Sequence, residues 1–257
     1  MSTIAAEIAG LDITGTPRVP MSRLVRVEVR KMADTRAGMW LLIGIAALAG
    51  VVMTIFMITA DQADRIFLKL IAAAAIPQMA LLPVLGILLV TSEWTQRTAL
   101  VSFTLEPVRL RVVGAKFIAA LAFGLAAVIV TLALGAAVTA IAGNDVAWSG
   151  VGVDTVAKLA LVQESMILQG LAFGLVILNS AGAIATFFVL PTAVGIVTMM
   201  WKALEDVAPW IDFDSSVLLQ STALTNEQWA QFGVTSLIWI ALPLTAGLLR
   251  VLRKEVK

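Results

Sequence analysis

The chain has no cysteine, no histidine and no tyrosine in its 257 residues. Without cysteine there is no disulfide and no thiolate nucleophile. Without histidine there is no imidazole acid–base chemistry and no Cys/His metal site. The lack of tyrosine leaves anchoring at a membrane–water boundary to the seven tryptophans. Charge is scarce too: 14% of residues are charged and 60% are hydrophobic. A soluble domain averages about 25% charged and about 45–50% apolar, so the apolar excess requires a non-aqueous solvent. The formal net charge of +1 excludes a nucleic-acid footprint spread over the whole molecule.

What is present is a set of long apolar runs. Crossing a bilayer takes about 20 mostly apolar residues, and six stretches qualify: Met39–Thr59, Phe67–Val90, Phe117–Ala142, Val156–Leu178, Ala181–Met200 and Phe232–Leu249. Pro77 and Pro83 in the second run, Pro191 in the fifth and Pro243 in the sixth each remove a backbone donor and are expected to kink their helices. The fold class predicted is an all-α membrane protein of six spans over residues 21–257. A polar tail, residues 1–20, precedes it; with no apolar core it reads as disordered rather than as a secretory signal.

The basic residues fix an orientation. Fourteen of the eighteen Lys and Arg lie before the first run, between the second and third, or after the sixth. Only Arg65, Lys69, Lys158 and Lys202 fall on the other side. By the positive-inside rule both termini and the loop after the second run are cytoplasmic, which an even number of spans satisfies. The fourth and fifth runs meet at Asn179-Ser180, too short for anything but a tight antiparallel hairpin. Gly170 and Gly174 make a GxxxG in the fourth, a spacing that allows close backbone approach but that chance produces about as often in so Ala/Gly-rich a span.

Two polar segments carry more structure than connectors need. In SRLVRVEVRKM, Met21, Val25, Val29 and Met32 share one helical face, while Arg23, Arg26 and Arg30 share another. Such a helix lies flat on anionic headgroups or contacts a partner; Arg26, Arg30 and Lys31 are its candidate contact residues. In the loop Thr91–Lys116, Glu93 and Arg97 are spaced for an i,i+4 pair on a short helix. Pro107 should stop that helix, and Leu100, Val101, Phe103 and Leu105 form an apolar patch too small to span and too large to leave wet. The convergence of charge, proline stop and patch points to docking of another protein.

On the opposite side, residues 202–231 form a long connection containing Trp210 and Trp229. PWIDFDSSVLLQ suits a hairpin half-inserted at the interface, and Thr225-Asn226-Glu227-Gln228 has the spacing of a capping box opening the sixth helix. Within the spans, Gln78 and Glu164 are the candidate intramembrane polar site. Glu164 either titrates or contacts a substrate, or it simply reaches the outer headgroups or pairs with Gln163 or Lys158.

The run Gly86 to Lys116 resembles the permease subunits of type 2 ABC transporters. It carries Gly86, Thr91, Glu93, Arg97-Thr98, Pro107, Arg109 and Lys116 in that family's order. The basic segment with Glu28, Arg30, Lys31 and Arg36 and the basic tail RVLRKEVK are similar as well. The resemblance implies that the loop is a coupling helix seated on a cytoplasmic ATPase, with Glu93, Arg97, Thr98, Pro107 and Arg109 as coupling residues. It implies two permease copies or homologues in a bacterial inner membrane, and export as the direction. The chain has no GxxxxGK[ST], so ATP and Mg would be bound by the partner ATPase, with no cofactor, catalytic residue or metal expected in this chain. The alternative is an ion- or proton-coupled secondary carrier using Glu164.

Overall fold

The computed structural model describes residues 18–142, 147–149, 151–214, 217–220 and 224–254. Most of the tail expected to be disordered, residues 1–17, lies outside these. Among the described residues the protein is all helical, without a strand. A short helix α1 (Met21–Asp34) meets α2 (Arg36–Thr59) at a one-residue elbow. Thr35 serves both: its hydroxyl donates to the Met32 carbonyl and accepts from the Gly38 amide, each at 3.2 Å. Gly38 is required there, because a Cβ would lie 1.9 Å from the Met32 carbonyl oxygen.

The chain continues through α3 (Phe67–Thr95), α4 (Ala99–Leu105), α5 (Arg109–Ala142), α6 (Val153–Ile177) and α7 (Ser180–Met200). Short helices α8 (Ala208–Ile211) and α9 (Val217–Gln220) precede α10 (Asn226–Ser236). A π-helical stretch, Leu237–Ala241, joins α10 to α11 (Leu242–Arg253). Six helices are long and apolar enough to cross a membrane: α2, α3, α5, α6, α7 and the continuous α10–α11 unit. All six expected runs are therefore helical and long enough to span, and several helices extend past the apolar run. The second continues to Thr95 and the third begins at Arg109, because charged residues at these ends are paired within the fold.

The center of the bundle is α3 against α6. Their most apolar stretches are 61% and 67% buried, whereas those of α2 and α7 are 17% buried. Backbone approach explains the difference. A Cβ on Gly86 would sit 2.2 Å from the Ile167 carbonyl oxygen, and one on Gly170 would sit 2.0 Å from that of Pro83. A Cβ on Gly174 would lie 3.1 Å from the Ile87 carbonyl oxygen, tight but less so, so both glycines of the GxxxG face α3. Leu82, Leu85, Leu89, Ile167 and Leu171 fill the core toward the basic end, and Met53, Leu70, Ile71 and Leu159 fill it toward the other.

The α6–α7 hairpin is as tight as expected. Leu178 takes a left-handed conformation (φ 56°), and the Asn179 side chain caps α7 by accepting from the Gly182 amide at 2.8 Å. The capping box is present in full at Thr225 and Gln228. The described part of the connection before it is folded rather than loose. Leu218 and Leu219 are buried in the core, and the Trp239 indole donates to the Ile211 carbonyl at 2.6 Å. Residues 215–216 of the expected interfacial hairpin, and residues 221–223 after it, lie outside the described residues.

Gly170→Val should push α3 off α6 and lower stability by about 1–3 kcal/mol or more. Gly50→Ala, where nothing lies within 4 Å of the added methyl, should be neutral or slightly stabilizing. Thermal unfolding of the two purified variants in detergent checks the contrast.

Candidate functional site

Three helices converge at the basic end, and each contributes charge. Glu28 sits on the apolar face of α1, one turn from Met32, and is buried with it. Glu93 lies in the last turn of α3 and Lys116 two turns into α5; both are buried. Lys31, at the end of α1, completes a closed ring. Lys116 Nζ donates to Glu28 Oε2 at 2.6 Å and lies 3.2 Å from Glu93 Oε2. Lys31 Nζ donates to Glu93 Oε1 at 2.6 Å and to Glu28 Oε1 at 3.2 Å.

The ring balances in charge and in hydrogen bonds. Two carboxylates meet two ammonium groups, and each ammonium has three protons to place. Lys116 directs its third to the Leu89 carbonyl at 3.1 Å, and Lys31 directs its third toward Ser102 Oγ at 3.5 Å. Ser102 in turn donates to Glu93 Oε1 at 3.0 Å, which brings α4 into the ring. Lys116 is 5% exposed and Lys31 43%, so the Lys116 arm carries more of the energy; an exposed arm is screened by water. Burial by itself lowers the Lys31 pKa, but the charge of Glu28 and the hydrogen bond and charge of Glu93 outweigh it and hold the pKa above the ordinary lysine value. A raised lysine pKa adds stability that is complete below the unfolded value, about 10.4, and is lost as pH rises through the folded one. The Lys31 arm therefore holds across neutral pH.

This geometry overturns the expected Glu93–Arg97 pair. The α3 helix runs on through Glu93 to Thr95, and the carboxylate is committed to two lysines. Arg97 lies beyond the helix at φ 59°, exposed. The Thr98 amide donates to the Glu93 carbonyl at 2.8 Å and the Arg97 amide to the Trp94 carbonyl at 3.3 Å. That is a Schellman stop with arginine in the left-handed position that glycine usually holds. Thr98 then flanks α4, and Glu106, extended as a residue before proline must be, ends α4 where Pro107 was expected to stop it.

The other expected residues divide between the surface and internal bracing. Arg26 and Arg30 are exposed on α1, opposite its buried face. Leu100, Val101 and Leu105 are 49%, 57% and 77% exposed on α4. Phe103 instead turns inward against Trp94. Arg109 is not a free contact group. Its guanidinium donates to the carbonyls of Val251 (2.7 Å) and Lys254 (2.6 Å), capping α11, and it lies over the Phe103 ring. A further, half-buried pair, Arg111 to Glu106 at 2.6 Å, holds the loop after α4. A cavity of about 680 Å³ opens between α1, the end of α3 and α4, walled by Leu24, Val27, Leu88, Val101 and Leu105, with the ring residues lining it.

Sequence reasoning missed Glu28 and Lys116 as site residues, and Ser102 entirely. The signal was available for Glu28: an acid on the apolar face of an amphipathic helix requires a cation. Ser180 is another omission. Its hydroxyl bridges Thr91 (2.8 Å) and Thr95 (3.1 Å), tying the start of α7 to α3.

Deeper in the bundle, Gln78 is fully buried and donates to Thr131 Oγ1 at 2.7 Å, while Gln163 Nε2 donates to Gln78 Oε1 (2.7 Å) and to Thr131 (3.0 Å). Gln78 thus pairs with Gln163 and Thr131, and the structure does not bring it to Glu164 as one site. Glu164 pairs with neither Gln163 nor Lys158; both its carboxylate oxygens are buried without a partner. No family model matches this chain, and no curated protein matches it either.

Lys116→Met should cost about 3–5 kcal/mol, because two buried carboxylates lose their shared cation. The double variant Glu28→Met/Lys116→Met should recover most of that loss, since Lys31 still serves Glu93. Chemical unfolding of the single and double variants measures the coupling, and additive losses would mean that the ring does not act as a unit.

Proposed function

We propose that this chain is the transmembrane permease subunit of an ATP-driven ABC transporter of the type 2 kind, acting as an exporter with a separate cytoplasmic ATPase. The supporting observation is α4, a short helix with an exposed apolar face, braced through Ser102 and the charge ring to α1, α3 and α5. A force applied at α4 reaches two spanning helices through charge-assisted hydrogen bonds rather than through a slack loop. The resemblance of residues 86–116 to the family's coupling segment adds to this. In this reading the basic end is cytoplasmic, as the Lys/Arg distribution requires, and the protein resides in a bacterial inner membrane as a dimer of permease subunits. ATP and Mg belong to the ATPase.

The residues that would meet the ATPase are the exposed ones: Arg97, Thr98, Leu100, Val101 and Leu105 on the loop, and Arg26 and Arg30 on α1. Glu93, Lys31 and Arg109 would transmit rather than touch. The left-handed Arg97 supports this division. A non-glycine residue there costs about 1–2 kcal/mol, and strain of that kind is retained where a side chain is needed at that spot.

The second reading, a gradient-driven carrier with Glu164 as the coupling group, draws on its unpartnered carboxylate. It requires transport that survives loss of the ATPase and is abolished by Glu164→Gln.

Val101→Asp/Leu105→Asp should reduce co-purification of the ATPase by about tenfold or more while leaving the unfolding temperature unchanged, since both side chains are exposed. Pull-down from detergent-solubilized membranes, with P-loop content read by mass spectrometry, checks this. Undiminished ATPase recovery would contradict the coupling assignment.

A further inference from the structure

Glu164 lies on α6 opposite Gly124 of α5. The absence of a side chain at Gly124 leaves a notch that the carboxylate fills: a Cβ there would lie 2.6 Å from Oε1 and 2.7 Å from Oε2. Gly124 is eight residues beyond Lys116 on the same helix, or about 12 Å along the axis. That places the notch near the middle of an apolar layer about 30 Å thick. Among the described residues no donor meets either carboxylate oxygen. Gln163 has spent its amide protons on Gln78 and Thr131, and its own Oε1 is unpartnered. Lys158, the nearest cation along α6, is held by Asp154 at 3.4 Å.

The flanking surface is apolar and faces outward. Leu161, one turn from Glu164 on α6, is 40% exposed, while Leu168 on the same stripe is half-buried against the core. Leu125, beside Gly124 on α5, is 52% exposed. The seam between α5 and α6 therefore runs from a buried acceptor to exposed apolar side chains on the side of the bundle. An ionized carboxylate at this depth is costly unless a cation with N–H donors meets it. A quaternary ammonium supplies charge without a donor, and an alcohol supplies a donor without charge. A protonated amine supplies both.

We propose that Glu164, seated in the Gly124 notch, binds the ammonium head of an apolar amine that enters from the lipid along the α5–α6 seam. This deepens the transport reading by giving the cargo a chemical class, yet binding itself needs no ATPase, so the two stand or fall separately.

The test is equilibrium binding of radiolabeled 1-adamantylammonium to the full chain in lipid nanodiscs, with empty nanodiscs as background. Binding should be saturable and weaker by about tenfold or more in Glu164→Gln. It should also weaken in Gly124→Ala, where the new methyl evicts the carboxylate. On the unmutated chain, 1-adamantanol and the trimethylated adamantylammonium should each compete about tenfold less well than the primary amine. That series needs no variant and keeps the outcome independent of folding. Equal binding by Glu164→Gln, equal competition by all three head groups, or no saturable binding would each overturn the proposal. Absent binding together with dicyclohexylcarbodiimide labeling of Glu164 would mark it as a site for a proton alone.

Discussion

The arrangement at the basic end depends on one closed ring of charge, Glu28–Lys116–Glu93–Lys31. Two of its members lie on a helix too short and too polar to span anything, and the other two lie at the ends of spanning helices. A buried ion pair is a weak source of net stability, because desolvation offsets much of the attraction. Its value lies in geometry: four groups with complementary donors and acceptors fit in one arrangement and fail in most others. The ring thereby fixes the register of α1 against α3 and α5, and through Ser102 it fixes α4 as well. Every exposed residue on α4 inherits its position from that constraint.

The six spans were legible because hydropathy over some twenty residues is a strong signal, and the charge asymmetry around them is nearly as strong. The amphipathic face of α1 was legible for the same reason, periodicity. What periodicity does not carry is pairing across distance. Glu93 reads as a partner for Arg97 when only local spacing is visible, yet the helix extends past it and the carboxylate turns to lysines 62 residues upstream and 23 downstream. Arg109 likewise reads as a loop cation, whereas it caps a helix more than 140 residues away. The Gly86 and Gly170 contacts were half legible. The small residues stand out, but the helix they face does not.

Beside the left-handed Leu178 of the α6–α7 hairpin, two further places break local rules, and neither side chain belongs to the ring. Arg97 holds a backbone conformation suited to glycine, and Glu164 holds an unpartnered carboxylate against an apolar seam. Neither is explained by packing. Sites of this kind are where function is expected to override foldability; in the proposed transporter one would lie on the face offered to the ATPase and the other near mid-membrane depth.

A photo-crosslinker placed at Leu105 in intact membranes tests the coupling role most directly, since that side chain is 77% exposed on α4 and contributes nothing to the ring. If α4 is the docking helix, the principal adduct is a P-loop ATPase, and its yield falls when the ring is broken by Lys116→Met. An adduct only with lipid, or with a protein that hydrolyzes no nucleotide, would contradict the coupling role.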